Sequence, residues 1–476
     1  MSLMNTNTEI KTERYFVKEN NMDALLKEFR CNVELHGKVV EHLIAKKVPL
    51  SQANLFFQPE TWEILSDKIE SYEYHFSPLS EGYVDKRNGQ PMSYEQAAKR
   101  NFEDVRKIYM MTPMDRAVAH MIYLIYYRKF IGMSHERCVS YKSGIGTSKV
   151  AKNLSMEMQQ KGFYEGYKMD IHHYFDDVNI ETIEKQLIDM KSQSHLDSLL
   201  WELYHDDRVI VNGELIHKHR GLIQGCAFAC LLANLILKDI DEMISNMNVI
   251  YYRYSDDIII LGKDKDTETA MKIIKEFLKP KGLQLHPKKV QRVDAKNNWF
   301  EFLGFSFKWN MISVSKKTLA NLENEIKTRT VSKTRQAHRP ATKKEIIKMI
   351  DDLQWYFFTA FAKSQENFGM GVYLFGTVNV EHDLIALENY CKDCLRAAYT
   401  NKSNIYGLGY VNRNGYVIDN CNKGQNVKAN REKTQTEEWD LLRECGWISL
   451  IKMYNDYHTN MDLFESSVFR MMNGLL

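Results

Sequence analysis

Tyr251-Tyr-Arg-Tyr-Ser-Asp-Asp-Ile-Ile-Ile-Leu-Gly262 sets two adjacent carboxylates, Asp256 and Asp257, between two runs of β-favouring residues. Val249 to Tyr254 and Ile258 to Leu261 read as the strands of a hairpin, with Ser255-Asp256-Asp257 at the bend. Neighbouring side chains on an extended strand diverge, whereas a tight turn lets both acids reach one edge. Two carboxylates held together repel unless a cation lies between them, so the segment reads as a divalent metal site. An exposed acidic turn is the plain alternative, and the surrounding sequence decides between the two.

Upstream, Tyr167-Lys-Met-Asp170-Ile-His-His-Tyr-Phe175-Asp-Asp-Val-Asn179 reads as a strand ending at Asp170, a turn, and a helix from Ile180 to Met190 with Ile183, Leu187 and Met190 on one face. Asp176 and Asp177 are expected to cap that helix. Asp170 supplies a third carboxylate, and such a set can hold two Mg²⁺ ions together with water and substrate phosphates. His172 and His173 are set aside as metal ligands, because successive residues on a strand face opposite ways.

Further motifs surround these in order. Arg220-Gly-Leu-Ile-Gln224-Gly225-Cys-Ala-Phe-Ala-Cys-Leu-Leu-Ala233-Asn234-Leu places Gln224-Gly225 at the opening of an apolar helix. Gly282-Leu-Gln-Leu-His-Pro287-Lys-Lys289 and Phe302-Leu-Gly304-Phe305 follow the acidic hairpin, and Thr112-Pro-Met-Asp115-Arg116-Ala-Val precedes everything. Taken together, this series resembles the reverse transcriptases over roughly residues 100 to 320. Asp170 with Phe175 looks like that family's first palm motif, Gln224-Gly225 the second, Tyr254-Ser-Asp256-Asp257 the third, Lys289 the end of the fourth, and Phe302-Leu303-Gly304 the primer-gripping hairpin.

The resemblance implies an α+β fold, a right-hand polymerase with fingers and palm built on a small antiparallel sheet with packed helices. It implies RNA-directed DNA synthesis from dNTPs, with Mg²⁺ as cofactor held by Asp170, Asp256 and Asp257. Nucleotide contacts are implied for Phe175 as a gate against the ribose 2′-OH, and for Gln224, Gly225, Arg116 and Lys289, the last also as proton donor to pyrophosphate. Tyr254, Phe302, Leu303 and Gly304 are implied to meet primer and template. Arg106 and Lys107 are weaker candidates for the triphosphate, since the family's basic hairpin is hard to trace here. Cys138-Val-Ser-Tyr141-Lys142 through Lys149 looks like a template-binding segment. The chain departs from the family's Pro-Gln-Gly-Ser-Pro, reading Ile223-Gln-Gly-Cys-Ala227.

Gly144-x-Gly146-x-x-Lys149 lacks the four residues that a Walker A loop needs between its glycines, which excludes an ATPase on that motif. The chain has 476 residues, 44% of them hydrophobic and 26% charged, enough for a large core and more than one domain. Its N-terminus shows no charged-then-apolar leader, and the run Ala227 to Leu237 is too short to span a bilayer, so a cytoplasmic protein is expected. The eight cysteines read as reduced thiols; Cys391 and Cys394 lie in a helical pattern, and Cys421 and Cys445 are irregularly spaced for zinc. Net charge is only +2, yet residues 281–350 carry 16 Lys and Arg against 5 Asp and Glu, a belt suited to tracking phosphates. Thr330 to Pro340 within it reads as a flexible linker.

Residues 1–95 read as a helical N-terminal extension (Met22 to Phe29, Lys38 to Ala45, Trp62 to Tyr72), 96–310 as fingers and palm, and 311–476 as a helical, thumb-like region. Its first helix, Lys343 to Phe361, has an apolar face of Ile346, Met349, Ile350, Leu353, Phe357 and Phe358. Tyr399, Tyr406, Tyr410 and Tyr416 are candidates to prime synthesis from a protein hydroxyl, with ordinary packing as the alternative. The chain carries neither the Asn-Ala-x-x-His and Val-Thr-Gly motifs of retron enzymes nor the Cys-rich nuclease of intron proteins. In this it resembles the defence-associated bacterial reverse transcriptases, including the abortive-infection group. That resemblance implies an anti-phage role, a noncoding RNA partner and template, a DNA product, homo-oligomerisation and no membrane partner. An RNA-dependent RNA polymerase and a non-catalytic RNA-binding scaffold are the rival readings.

Overall fold

A computed structural model describes residues 23–87, 89–100, 104–358, 374–400, 411–412, 416–417 and 445–472. Its contacts fall into two compact units: the described residues up to Lys142 with Tyr167–Gln291, and Ser143–Gly166 with the described residues from Arg292 onward. The grouping follows contacts rather than chain order.

In the first unit, helices Ala24–Cys31, Val33–Ala45 and Pro59–Glu70 are each started by a recognisable signal. Asp23 and Asn32 accept the Leu26 and Leu35 amide N–H at the first two N-termini, and Pro59 opens the third. Leu26, Phe29, Val39, Leu43 and Trp62 form their buried face. The chain then turns to sheet. Strand β1 (Leu79–Asp85) pairs antiparallel with β2 (Pro91–Met92) and with β3 (Val105–Met110), and parallel with β5 (Arg208–Val211), which pairs with β6 (Glu214–His217). The β5–β6 turn is Asn212–Gly213, with φ of 50° and 88°, the left-handed pair that a two-residue hairpin requires. Helix Pro113–Phe130 follows β3, capped by Thr112 with Pro at its first position.

The sheet that matters for chemistry contains β4 (Glu165–Asp170), β7 (Val249–Tyr254) and β8 (Asp257–Gly262), and β4 lies beside β8. β7 and β8 pair in register from Val249↔Gly262 to Tyr254↔Asp257. The bend is therefore Ser255–Asp256 alone, and Asp257 is already the first residue of a strand. Ile250, Tyr251, Ile258, Ile259, Ile260 and Leu261 are all buried, so the hairpin is anchored on both faces, which explains its near-continuous apolar sequence. Helix Ala227–Leu235 lies in the core; it starts after Cys226, two residues beyond the glycine expected to open it.

Two sequence expectations fail in this unit for local reasons. Helix Ile180–Asp189 is capped by Asn179, whose side chain accepts the Thr182 N–H at 3.1 Å, and not by Asp176 or Asp177, which sit in a separate short turn, Tyr174–Asp177. His172 and His173 lie beyond the end of β4, with His173 at φ 42°, so the alternation of a strand does not separate them. Their ring centroids are 4.0 Å apart.

The second unit holds helix Thr147–Lys161 and an antiparallel sheet of β10 (Phe300–Phe302), β11 (Phe305–Lys308) and β12 (Met311–Val314); the short β9 (Gln291–Asp294) begins at the last residue of the first unit. Helices Lys316–Arg329, Val331–Ala337, Lys343–Phe358, Glu381–Thr400, Leu450–Thr459 and Met461–Met472 follow. Residues 331–337 are thus helical where a linker was expected; Val331 and Thr334 are buried, and this one-sided burial outweighs the polar composition. All six apolar-face residues of Lys343–Phe358 are buried. Cys391 and Cys394 are buried free thiols on a helix. Tyr399 is partly exposed near a helix end and Tyr416 lies in a two-stranded ladder, while Tyr406, Tyr410 and Cys421 lie outside the described residues. Among the described residues no helix is long and apolar enough to cross a membrane.

Candidate active site

Asp170 ends β4 and Asp256 forms the bend between β7 and β8, so two neighbouring strand ends bring the carboxylates to one edge. Backbone bonds lock the register: the Ile171 N–H donates to Asp256 O at 3.0 Å, and the His286 N–H donates to Asp170 O at 2.7 Å. Burial pushes the Asp256 carboxyl up to about 6, and the negative charges of Asp170 and then Asp257 push the same way. The three acids are therefore one electrostatic group. The Lys289 ammonium lies 2.9 Å from Asp170 Oδ2.

Asp170, Asp256 and Lys289 open into a cleft of about 310 Å³, which Asp257 does not line. Asp170, Asp256, Phe175, Gln224 and Lys289 line it, joined by residues that sequence reading gave little or no part: Lys86, Arg106 and Lys107 on the β1–β3 side, with Tyr83, Asp176, His173 and His286. Arg106 and Lys107 sit on β3 opposite Val84 and Tyr83 of β1, a pairing of strands distant in sequence. Burial raises the Asp176 carboxyl, while Lys107 and His173 pull it down.

Close backbone packing holds the cleft's walls. The Tyr109 N–H donates to Gln224 O at 2.7 Å, and a Cβ on Gly225 (φ 114°) would lie 2.6 Å from Tyr109 O. The Leu222 N–H donates to Phe175 O at 2.8 Å, and a Cβ on Gly221 (φ 55°) would lie 2.0 Å from that same oxygen. Only glycine permits these approaches.

The other candidates lie elsewhere. Arg116 does not line the cleft; its guanidinium is half-buried and acts electrostatically on His42, with Cys226 nearby. Tyr254 pairs with Asp257 behind the bend, with its ring 6.1 Å from that of Tyr141. In the second unit Phe302 ends β10, and Leu303–Gly304, at φ 50° and 84°, make the two-residue turn into β11.

Among the described residues no group of three or more His, Cys, Asp or Glu side chains is placed to hold a metal ion. The chemistry of the Asp170 and Asp256 donors, hard carboxylate oxygens beside an open cleft, nevertheless suits a divalent cation such as Mg²⁺. Asp256 is destabilised by its charged neighbours in the way that a bound cation relieves.

Residues 97–307 match the family described as reverse transcriptase (RNA-dependent DNA polymerase). This segment, somewhat under half of the chain, is similar to that family. No curated protein matches the chain. Among solved structures it is similar to a chain of a partial Cas6-RT-Cas1–Cas2 complex, with 16% identity, covering 54% of this chain and 43% of that one, TM-score 0.31. A Cas6-RT-Cas1–Cas2 complex gives the same identity and score over 27% of its chain. Apo telomerase from Candida tropicalis is 11% identical over 72% of this chain and 62% of that one, TM-score 0.40. The chain thus spans less than two thirds of the length of each. The matched segment contains Asp170, Asp256, Asp257, Phe175, Gln224 and Lys289, together with Arg106 and Lys107, and Lys86 lines the cleft from outside it.

Proposed function

We propose that this chain is an RNA-directed DNA polymerase that extends a primer at the Asp170–Asp256–Asp257 cleft. The observation that carries the reading is Asp256, a carboxyl raised by burial and by two acidic neighbours at the mouth of a cation-lined cleft. Asp170, Asp256 and Asp257 would hold Mg²⁺, which when bound makes a nearby hydroxyl more acidic and offsets charge on a leaving oxygen. The primer 3′-hydroxyl forms a new P–O bond to the α-phosphorus of a dNTP, the bridging bond to the β-phosphate breaks, and pyrophosphate leaves. Lys86, Arg106 and Lys107 bind the triphosphate, Lys289 Nζ gives a proton to the departing pyrophosphate, and the Phe175 ring occupies the space a ribose 2′-OH would need.

The polymerase copies an associated noncoding RNA in cytoplasmic anti-phage defence, as a homo-oligomer; that part rests on resemblance to the defence-associated group. The test is labelled-dNTP incorporation by purified protein with its co-purifying RNA, beside the Asp256→Ala/Asp257→Ala variant. RNase-sensitive DNA from the wild type and background from the variant are expected, and sequencing the product names the template. Equal synthesis by both proteins would refute the assignment of the carboxylates.

A further inference from the structure

Behind the bend that carries Asp256 lies a buried polar chain none of whose members lines the cleft. Arg253, fully buried, is clamped by Asp241, with Nε to Oδ1 at 2.7 Å and Nη2 to Oδ2 at 2.5 Å, and the Tyr251 hydroxyl donates to the same Oδ1 at 2.6 Å. From this anchor the guanidinium reaches forward. Nη1 donates to Ser255 O at 3.1 Å and Nη2 to Asn234 O at 3.1 Å. The Asn234 amide brackets Ser140: its Nδ2 donates to Ser140 O at 2.7 Å, and its Oδ1 accepts the Ser140 hydroxyl at 2.7 Å. Ser140 Oγ in turn accepts the Ser255 N–H at 3.0 Å.

Ser255 is the point of interest. It is buried and sits at φ 57°, a conformation that a side-chain-bearing residue adopts only under constraint. Both of its backbone polar groups are held by side chains, the carbonyl by Arg253 two residues before it and the N–H by Ser140, far away in sequence, and its Oγ accepts the Tyr141 hydroxyl at 3.4 Å. The next residue is Asp256. Relaxation of Ser255 toward negative φ would re-aim that carboxylate away from Asp170. The segment that supplies Ser140 is tied to β7 as well, through the Val139 N–H to Arg253 O and the Arg253 N–H to Arg137 O, both 2.9 Å. A stretch read from sequence as a template contact thus braces the bend from behind.

We propose that Ser140 is a positioning residue for the catalytic carboxylates: its hydroxyl, oriented by Asn234, holds the Ser255 bend so that Asp256 meets the metal together with Asp170. The proposal rests on the polymerase reading for its consequence in turnover, but not for its consequence in metal affinity. Ser140→Ala deletes one oxygen and leaves the Ser255 N–H buried without its acceptor.

The experiment titrates Mn²⁺ into metal-free protein, followed by electron paramagnetic resonance, and measures kcat, dNTP KM and thermal midpoint on the same preparations. Ser140→Ala should weaken Mn²⁺ binding and lower kcat, each by roughly ten- to a hundredfold, the loss usual when support behind a metal ligand is removed. Its dNTP KM should stay unchanged, and Ser140→Thr, which keeps the hydroxyl, should recover much of both losses. Tyr251→Phe, which weakens only the far anchor, should lower the thermal midpoint while Mn²⁺ affinity and kcat stay at wild-type values. If Ser140→Ala fails to fold, Ser140→Cys, of similar size but a weak acceptor, reads the same loss. Wild-type affinity and kcat in Ser140→Ala would overturn the proposal, as would equal losses in Tyr251→Phe at a matched thermal midpoint. Wild-type protein that binds Mn²⁺ but makes no DNA would sink the polymerase reading alone, and the affinity comparison would still judge Ser140.

Discussion

Asp256 is held in a state that the metal-free protein tolerates at a cost. Its carboxyl ionises near pH 4 in an unfolded chain but at about 6 in the fold, so the folded state binds its proton more tightly. This group therefore costs stability progressively as pH rises from about 4 to 6, and fully above that. In EDTA at pH 8, Asp256→Asn should melt higher than the wild type, by on the order of 2 kcal/mol. The advantage should shrink toward pH 4, and Mg²⁺ should raise the wild-type midpoint but not the variant's. A variant no more stable than wild type at pH 8 would mean that the three charges are not crowded. Phe175 lines the same cleft, and Phe175→Ala should raise ribonucleotide incorporation roughly ten- to a hundredfold; unchanged discrimination would retire the gate. The carboxylates were legible from sequence because their identity is their chemistry. Ser140, Asn234 and Arg253 were not, because polar residues reveal a brace only once partners up to 115 positions apart are brought together.

At the level of elements, the acidic hairpin could be read because Val249–Arg253 and Ile258–Leu261 are buried on both faces and so, Arg253 apart, are apolar or aromatic. The β1–β3 pair could not: Leu79-Ser-Glu-Gly-Tyr-Val-Asp85 has little β-favouring composition, and its partner lies some twenty residues on. Asn212–Gly213 was a usable signal, a short-range hairpin marker between Val209-Ile-Val and Leu215-Ile. The Gly221 contact ties the stretch that opens with Arg220 to the turn that carries Phe175, and its spacing leaves no room for a side chain. Gly221→Ala should destabilise the protein by about 2 kcal/mol or more, through both the positive φ and the collision with Phe175 O. Gly37→Ala, in mid-helix with open space around it, should stabilise by about 0.5–1 kcal/mol. Thermal or urea midpoints of the two variants moving in the same direction would contradict the packing described.

For the whole molecule, a formal charge of +2 conceals a strongly divided distribution, since residues 281–350 alone contribute an excess of 11 positive charges. RNA affinity should therefore fall steeply with salt, by a slope of about 0.7 per contacted phosphate on a log–log plot for single strands. Fluorescence anisotropy between 50 and 200 mM salt, roughly the range over which such contacts are lost, would show it. A flat response would remove the basic belt from the binding surface.

Chain order adds a consequence of another kind. Helix Thr147–Lys161 packs against β12 (Met311–Val314), yet the intervening residues Tyr167–Gln291 build the other unit. On a ribosome adding about 5–20 residues per second, the helix must wait through about 150 residues, roughly 8 to 30 seconds, before its partner strand exists. Its apolar face, with Val150, Ala151, Leu154 and Met158, is without its mate for that interval. The nascent chain thus passes through a stage in which the residues of the first unit are complete while this helix still lacks its partner strand.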